Sequence, residues 1–332
     1  VHLNNSDALV RLDLSPLRQL PNLDTLCVTG NDHLTHLDLS QLSGFKKLRQ
    51  LYLNDNEHLT HLDLLPLSRF GALHTLDLSR TNLGNIDLVP LARLRKLRQL
   101  DLQGIHGLTN LDLEPLANLR GLRSLELGNV EIENFDLAPL AQLRHLERLV
   151  LIYGSSDFDL TPLARLHDLR SLDLHGYGHL DSFNLEPIRH LENLENLDLS
   201  DNRYIKELEL EPLSQLENLR DLDLSGNVGI RRLDLAPLGS LKNLRALDLG
   251  GDMRIENLDL EPLSQLENLH TLNLEGMECT GRFRLNDIAD LRNLGPQDPV
   301  RKKALTKLDL DPLSQLENLH TLNLYRMSCG LL

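Results

Sequence analysis

Leu194-Glu195-Asn196-Leu197-Asp198-Leu199-Ser200-Asp201-Asn202 alternates apolar and polar residues across Leu197-Asp198-Leu199, the period of a strand with one face buried and the other in water. Before it stands Phe183-Asn184-Leu185-Glu186-Pro187-Ile188, and after it Leu208-Glu209-Leu210-Glu211-Pro212-Leu213. The combined pattern LDLxPLxxLxxLxxLxLxxN begins at Leu12 and returns at Leu37, Leu62, Ile86, Leu111, Phe135, Phe158, Phe183, Leu208, Leu233, Leu258, Phe283 and Leu308, in steps of 23 to 25 residues. No Pro-, Gly- or Ser-rich linker separates the copies. This predicts a single domain over 1–332: a partial unit over 1–11, then thirteen units over 12–332, of which 283–307 is degenerate.

No unit can bury its own leucines, whereas stacked neighbours convert them into one continuous core. Proline recurs at one phase, from Pro16 to Pro312. Because it lacks an N–H and has a fixed φ, it suits the start of a helical turn and would damage a central strand. LxxLxLxxN resembles the leucine-rich repeat, and LDLxPLxxLxxL resembles the convex side of bacterial repeats of the internalin type, whose units are usually shorter. The resemblance implies an α/β solenoid, curved, with a parallel concave β-sheet and short strands and helical turns on the convex side. It also implies a noncatalytic scaffold for protein–protein recognition. Alternatives are a self-assembling structural protein, packing end to end or laterally into fibres or a surface layer, and the sensor portion of a larger receptor or enzyme.

Composition narrows the partner. The chain has 332 residues, with 49 acidic and 34 basic side chains and a net charge of −15. Such an excess argues against nucleic acid, which is held by clustered cations, and against an anionic membrane surface. No apolar run approaches the roughly 20 residues of a spanning helix, so no membrane insertion is expected. Aromatics are 3% and Trp is absent, which leaves leucine to fill the core. Three cysteines give no paired framework. Cys279 and Cys329 hold the same place in two units, and one intervening unit would set their backbones about 10 Å apart, too far for a disulfide.

The residue between the two concave leucines should face solvent. Along the chain it is Cys27, Tyr52, Asp77, Asp101, Glu126, Val150, Asp173, Asp198, Asp223, Asp248, Asn273 and Asn323. Like charges about 5 Å apart on neighbouring strands repel and raise one another's pKa. Arg49, Arg98, Arg123, Arg170, Arg220 and Arg245, just ahead of the ladder positions, are expected to supply part of the compensation. The row reads as a solvated face inherited by copying, a groove for a partner with a basic surface, or a cation site. Val150, Ile152 and Tyr153 interrupt it with adjacent apolar side chains, the composition of an interface hot spot. The candidate partner-binding residues are therefore Tyr52, Asp77, Asp101, Glu126, Val150, Ile152, Tyr153, Asp173, Asp198, Asp223 and Asp248.

The second acidic column, running from Asp13 through Asp38, Asp63 and Asp87 to Asp309, is read structurally, since an Asp ahead of a helical turn can accept the turn's free N–H groups. His33 and His36 recur as His58 and His61. Stacking brings such imidazoles together, yet no Cys or carboxylate repeats beside them at a metal-ligand spacing. No phosphate-cradling Gly loop, HExxH, GxSxG or CxxC is present, so neither catalysis nor a cofactor is expected. Unit 283–307 carries Gly295-Pro296-Gln297-Asp298-Pro299-Val300-Arg301-Lys302-Lys303 where a strand should lie. Gly295–Ala304 is read as a loop that interrupts the concave sheet. Val1–Asn4 aligns with a concave strand, and neither end carries a recognisable cap, so self-association through uncapped ends is a further expectation.

Overall fold

The computed structural model describes residues 1–6, 9–20, 22–42, 44–130, 136–153, 159–176, 182–256, 258–279 and 310–329. They fall into two compact units, Val1–Asp173 and Leu174–Leu332, and both are built from the same stacked repeat of an α/β solenoid.

In the first unit the strands Thr25–Cys27, Gln50–Tyr52, Thr75–Asp77, Gln99–Asp101, Ser124–Val130, Arg148–Tyr153 and Ser171–Asp173 lie side by side in sequence order, each parallel to the next. Their middle leucines form one rung after another: Leu26, Leu51, Leu76, Leu100, Leu125, Leu149 and Leu172. Val1–Asn4 adds to the edge, with Cys27 N–H donating to the Val1 carbonyl (2.9 Å) and Leu3 N–H to the Cys27 carbonyl (2.8 Å). In the second unit Asn196–Asp198, Asp221–Asp223, Ala246–Asp248, Thr271–Asn273 and Thr321–Asn323 repeat the arrangement, with Leu197, Leu222, Leu247, Leu272 and Leu322 as rungs.

This last pairing corrects the sequence reading of unit 283–307. The sheet is not interrupted: Thr271–Asn273 pairs directly with Thr321–Asn323. With Gln297 and Pro299 in place of the inward leucines, the degenerate segment has no apolar rung to offer and Pro cannot donate to a ladder. The next competent strand takes its place. Gly295–Ala304 itself lies outside the described residues. By the same shift Cys279 and Cys329 become register partners on neighbouring parallel strands, so the one-unit separation expected from their spacing does not hold. Their side chains lie outside the described residues.

On the opposite side each described repeat turns through a 3-10 helix of four or five residues, such as Glu211–Gln215. The leucines recur every third residue because the turns follow one another: Leu17 N–H donates to the Leu14 carbonyl, Leu20 to Leu17 and Leu23 to Leu20, at 2.8–3.0 Å. Proline takes the second place in the turn, where the missing N–H costs nothing. One residue before the cap, the Asp column accepts the turn's first amide: Asp13 Oδ1 from Ser15 N–H (2.9 Å), Asp87 from Val89 (2.9 Å), Asp136 from Ala138 (2.8 Å). LDL therefore bends into the turn instead of extending. Short second strands form only in places, at Arg11–Leu12 with His36–Leu37, at Ser182–Phe183 with Glu207–Leu208, and through Arg254–Ile255, Glu278–Cys279 and Ser328–Cys329.

Leucine fills the core as its spacing requires, and Phe45 and Phe70 are the largest side chains fully buried there. Asn31, Asn56, Asn202 and Asn227, the N of LxLxxN, are wholly buried as well. Asn202 Nδ2 donates to the carbonyls of Leu174, Leu199 and Ser200 (2.7–3.2 Å), while Asn227 Oδ1 accepts Asn202 N–H (2.9 Å). Each asparagine thus closes the carbonyls where the chain leaves its strand, and Asn31 and Asn202 are in turn held by the asparagine of the next repeat. The residue before it lies in the left-handed region, as Asp201 (φ 55°) and Gly226 (φ 69°) do. At Gly226 a Cβ would stand 2.6 Å from Asp201 Oδ1.

Candidate functional site

The strand pleat sends the residue between the two buried leucines outward, and the register lines these residues up. Tyr52, Asp77, Asp101, Glu126, Val150 and Asp173 are successive partners in the first unit. Asp198, Asp223, Asp248, Asn273 and Asn323 follow one another in the second. All but Val150 are half-buried rather than freely exposed.

Half-burial reflects a bond inferred for the other column but not for this one. Five of the aspartates fold back on the amide two residues on: Asp77 Oδ1 accepts Ser79 N–H (3.0 Å), Asp101 Oδ1 accepts Gln103 N–H (2.9 Å), Asp198 Oδ1 accepts Ser200 N–H (2.9 Å), Asp223 Oδ1 accepts Ser225 N–H (2.8 Å) and Asp248 Oδ1 accepts Gly250 N–H (2.8 Å). Asp77 and Asp198 accept a serine hydroxyl in addition, both at 2.6 Å. Asn273 and Asn323 make the same bond through Oδ1 (3.0 Å). Asp and Asn alternate at this phase because either supplies that acceptor. Leu-Asp-Leu-Ser, as in Leu76–Ser79, Leu197–Ser200 and Leu222–Ser225, is the visible signal.

Arg98, Arg123 and Arg220 do not pair with the row. Three residues ahead is an odd offset in a strand, so they leave by the flank. Arg98 bonds the Gly121 carbonyl, Arg123 pairs with Glu147, and Arg220 pairs with Glu195 at 2.8 Å. With water thinned, burial pushes the Asp77, Asp101 and Asp223 carboxyls up, and neighbouring carboxylates add to the effect. Asp101 reaches about 7, driven first by burial and then by Asp77 and Glu126, while the Gln103 amide and Arg80 pull the other way. Burial likewise raises the Tyr52 phenol.

Val150 does not supply the exposed apolar surface expected of it. Val150 is 2% exposed. Arg148, two residues earlier on the same face, reaches from Glu126 Oε1 (3.2 Å) to Ser171 Oγ (3.1 Å), so longer side chains stand on both sides of a short valine. The backbones of Ile152 and Tyr153 continue the strand opposite Gly128 and Val130, but their side chains lie outside the described residues. Cys27 is also buried, which raises its thiol.

His36 and His61 stack with ring centroids 5.3 Å apart, and His33 and His58 at 6.3 Å. Each of His36 and His61 shares a hydrogen bond with the threonine before it. Among the described residues no third ligand atom joins either pair closely enough to share an ion. No described helix is long and apolar enough to cross a membrane.

Asp101→Asn is expected to stabilise the protein above pH 7. Asn keeps the Gln103 bond, as Asn273 does with Glu275, and removes the buried charge. A carboxyl raised on folding contributes stability below its unfolded pKa, and that contribution is lost as pH rises through about 7. After allowance for solvent screening, the gain at pH 8 should be about 1–2 kcal/mol, with little or none at pH 4. Urea melts at the two pH values check it. An equal effect at both would remove the buried charge from the account.

Stacked leucine rungs, 3-10 turns on the far side and an asparagine ladder at the strand exits together define a leucine-rich repeat protein, and the chain resembles the internalins. An internalin (InlF) of Listeria monocytogenes matches with a TM-score of 0.67 and 25% identity, covering 93% of this chain and 76% of its own. A leucine-rich repeat protein of Leptospira interrogans matches with a TM-score of 0.68 and 24% identity, over 98% and 78%. A plant peptide hormone receptor, RGFR1, solved in complex with RGF2, matches with a TM-score of 0.60 and 20% identity, over 96% and 57%. No family model and no curated protein matches the sequence.

Proposed function

We propose that the protein is a noncatalytic recognition scaffold, its repeats serving as one domain, and that it binds a protein with a basic surface across the concave face. One observation supports this above the rest. Asp198, Asp223 and Asp248 stand in register on three adjacent strands, and none has an ion-pair partner among the described residues. Carboxylates held this way keep a fixed geometry and a partly desolvated field, and a cation brought to them relieves their mutual repulsion. The plant peptide hormone receptor RGFR1, which shares the fold, was solved in complex with RGF2, and this supports a recognition role.

The test uses a lysine- and arginine-rich peptide titrated against the whole chain. Binding should weaken as salt rises from 0.1 M to 1 M and the Debye length falls from about 10 Å to about 3 Å. Asp198→Asn, Asp223→Asn and Asp248→Asn together preserve the backbone bonds and should lower affinity roughly ten- to a hundredfold, from three lost charge pairs. Binding that survives both changes would take the row out of the mechanism.

A further inference from the structure

One flank of the repeat, away from the concave row, changes sign between the two units. Five residues before the middle leucine of each strand, where the helical turns lead into the sheet, every described residue is exposed. In the first unit that place holds Lys46, Arg95, Arg120 and Arg144, with Gly71 and His167 between and after them. Lys47 and Lys96 add charge at the next position. In the second unit the same place holds Glu192, Glu217, Glu267 and Glu317, with Lys242 as the exception. Among the described residues none of these four glutamates has an ion-pair partner, and neither have Lys46, Arg95, Arg120 and Arg144.

We propose that the basic column of one copy docks on the acidic column of a second copy. The two columns share a phase of the repeat, and therefore a pitch of about 4.8 Å, the separation of paired strands. Arg95, Arg120 and Arg144 precede three adjacent strands. Glu267 and Glu317 also precede adjacent strands, because Thr271–Asn273 pairs directly with Thr321–Asn323. The acidic column is held firm from beneath. Asn218 Nδ2 donates to the Glu192 carbonyl (2.9 Å), Asn243 to Glu217 (2.9 Å) and Asn318 to Glu267 (2.8 Å). A guanidinium fork meets a carboxylate with two parallel bonds, so rows of Arg and Glu at equal pitch are matched in geometry as well as charge. An acidic protein surface is favoured over nucleic acid because it is the chain's own second unit that carries the complementary row. Reciprocal pairing of both columns gives a two-fold dimer, and pairing of one column alone gives a ring or an open chain.

Light scattering and sedimentation over a concentration series decide the matter. The wild-type chain should gain mass with concentration in about 20 mM salt and return to monomer in about 0.5 M, where the Debye length is only a few ångströms. Lys46→Glu, Arg95→Glu, Arg120→Glu and Arg144→Glu in one variant turn the basic column acidic. Glu192→Arg, Glu217→Arg, Glu267→Arg and Glu317→Arg in another turn the acidic column basic. Each variant alone should stay monomeric with an unchanged circular dichroism spectrum, and an equimolar mixture should associate at least as tightly as wild type. A wild type that stays monomeric at low salt overturns the proposal, as does association that either variant retains alone. So does failure of the folded pair to associate on mixing, and so does a monomeric wild type that binds a 20-mer oligonucleotide which the first variant releases.

Discussion

Asn227→Leu is expected to destabilise the protein by about 2–6 kcal/mol, although the substitution adds apolar volume to a leucine core. Asn227 Nδ2 closes the Leu224 carbonyl at 2.6 Å, and its Oδ1 takes the Asn202 N–H at 2.9 Å. Leucine leaves both groups buried without a partner, each costing roughly 1–3 kcal/mol. The Leu199 carbonyl escapes, because Asn202 Nδ2 also reaches it at 2.7 Å. Asn202→Leu should cost a similar amount for a mirrored reason. Urea melts followed by circular dichroism measure both, and a loss below about 0.5 kcal/mol would show that water satisfies these groups instead.

Leu222→Ala should cost about 2–5 kcal/mol through lost burial and the cavity left behind. Leu222 is 2% exposed and lies between Leu197 and Leu247, so one truncation loosens two interfaces. Asp223→Asn, one residue on, should be neutral or slightly stabilising, since the Ser225 amide keeps its acceptor and the charge that burial disfavours is gone. The contrast separates inward from outward positions. If the Asp223 change were the more damaging, the assignment of the two faces would be reversed.

Both faces were legible in Leu194–Asn202, because a period of two admits one inward set, and the prolines placed the turns. What the sequence did not show is set by space rather than by period. Val150 has the composition of a hot spot, but its burial depends on where Arg148 reaches. The concave aspartates read as bare charges because their amide bonds depend on the chain turning after two residues, and the convex column alone suggested that use. Arg98, Arg123 and Arg220 were assigned to the wrong face by proximity in sequence, where an odd offset decides otherwise. Gly295–Ala304 was read as a break in the sheet because counting residues cannot tell which strands meet.

The rung from Leu272 to Leu322 spans fifty positions and sits in the same register as rungs spanning twenty-five. Adjacency in this ladder is granted by side chains that fit, not by distance along the chain. Extra sequence at that point needs only to let its two ends meet, and each doubling of a flexible excursion costs only about 0.6 kcal/mol. A gene lengthened or shortened there by whole repeats would still encode neighbours that recognise each other, so the array can acquire foreign segments without renegotiating its core.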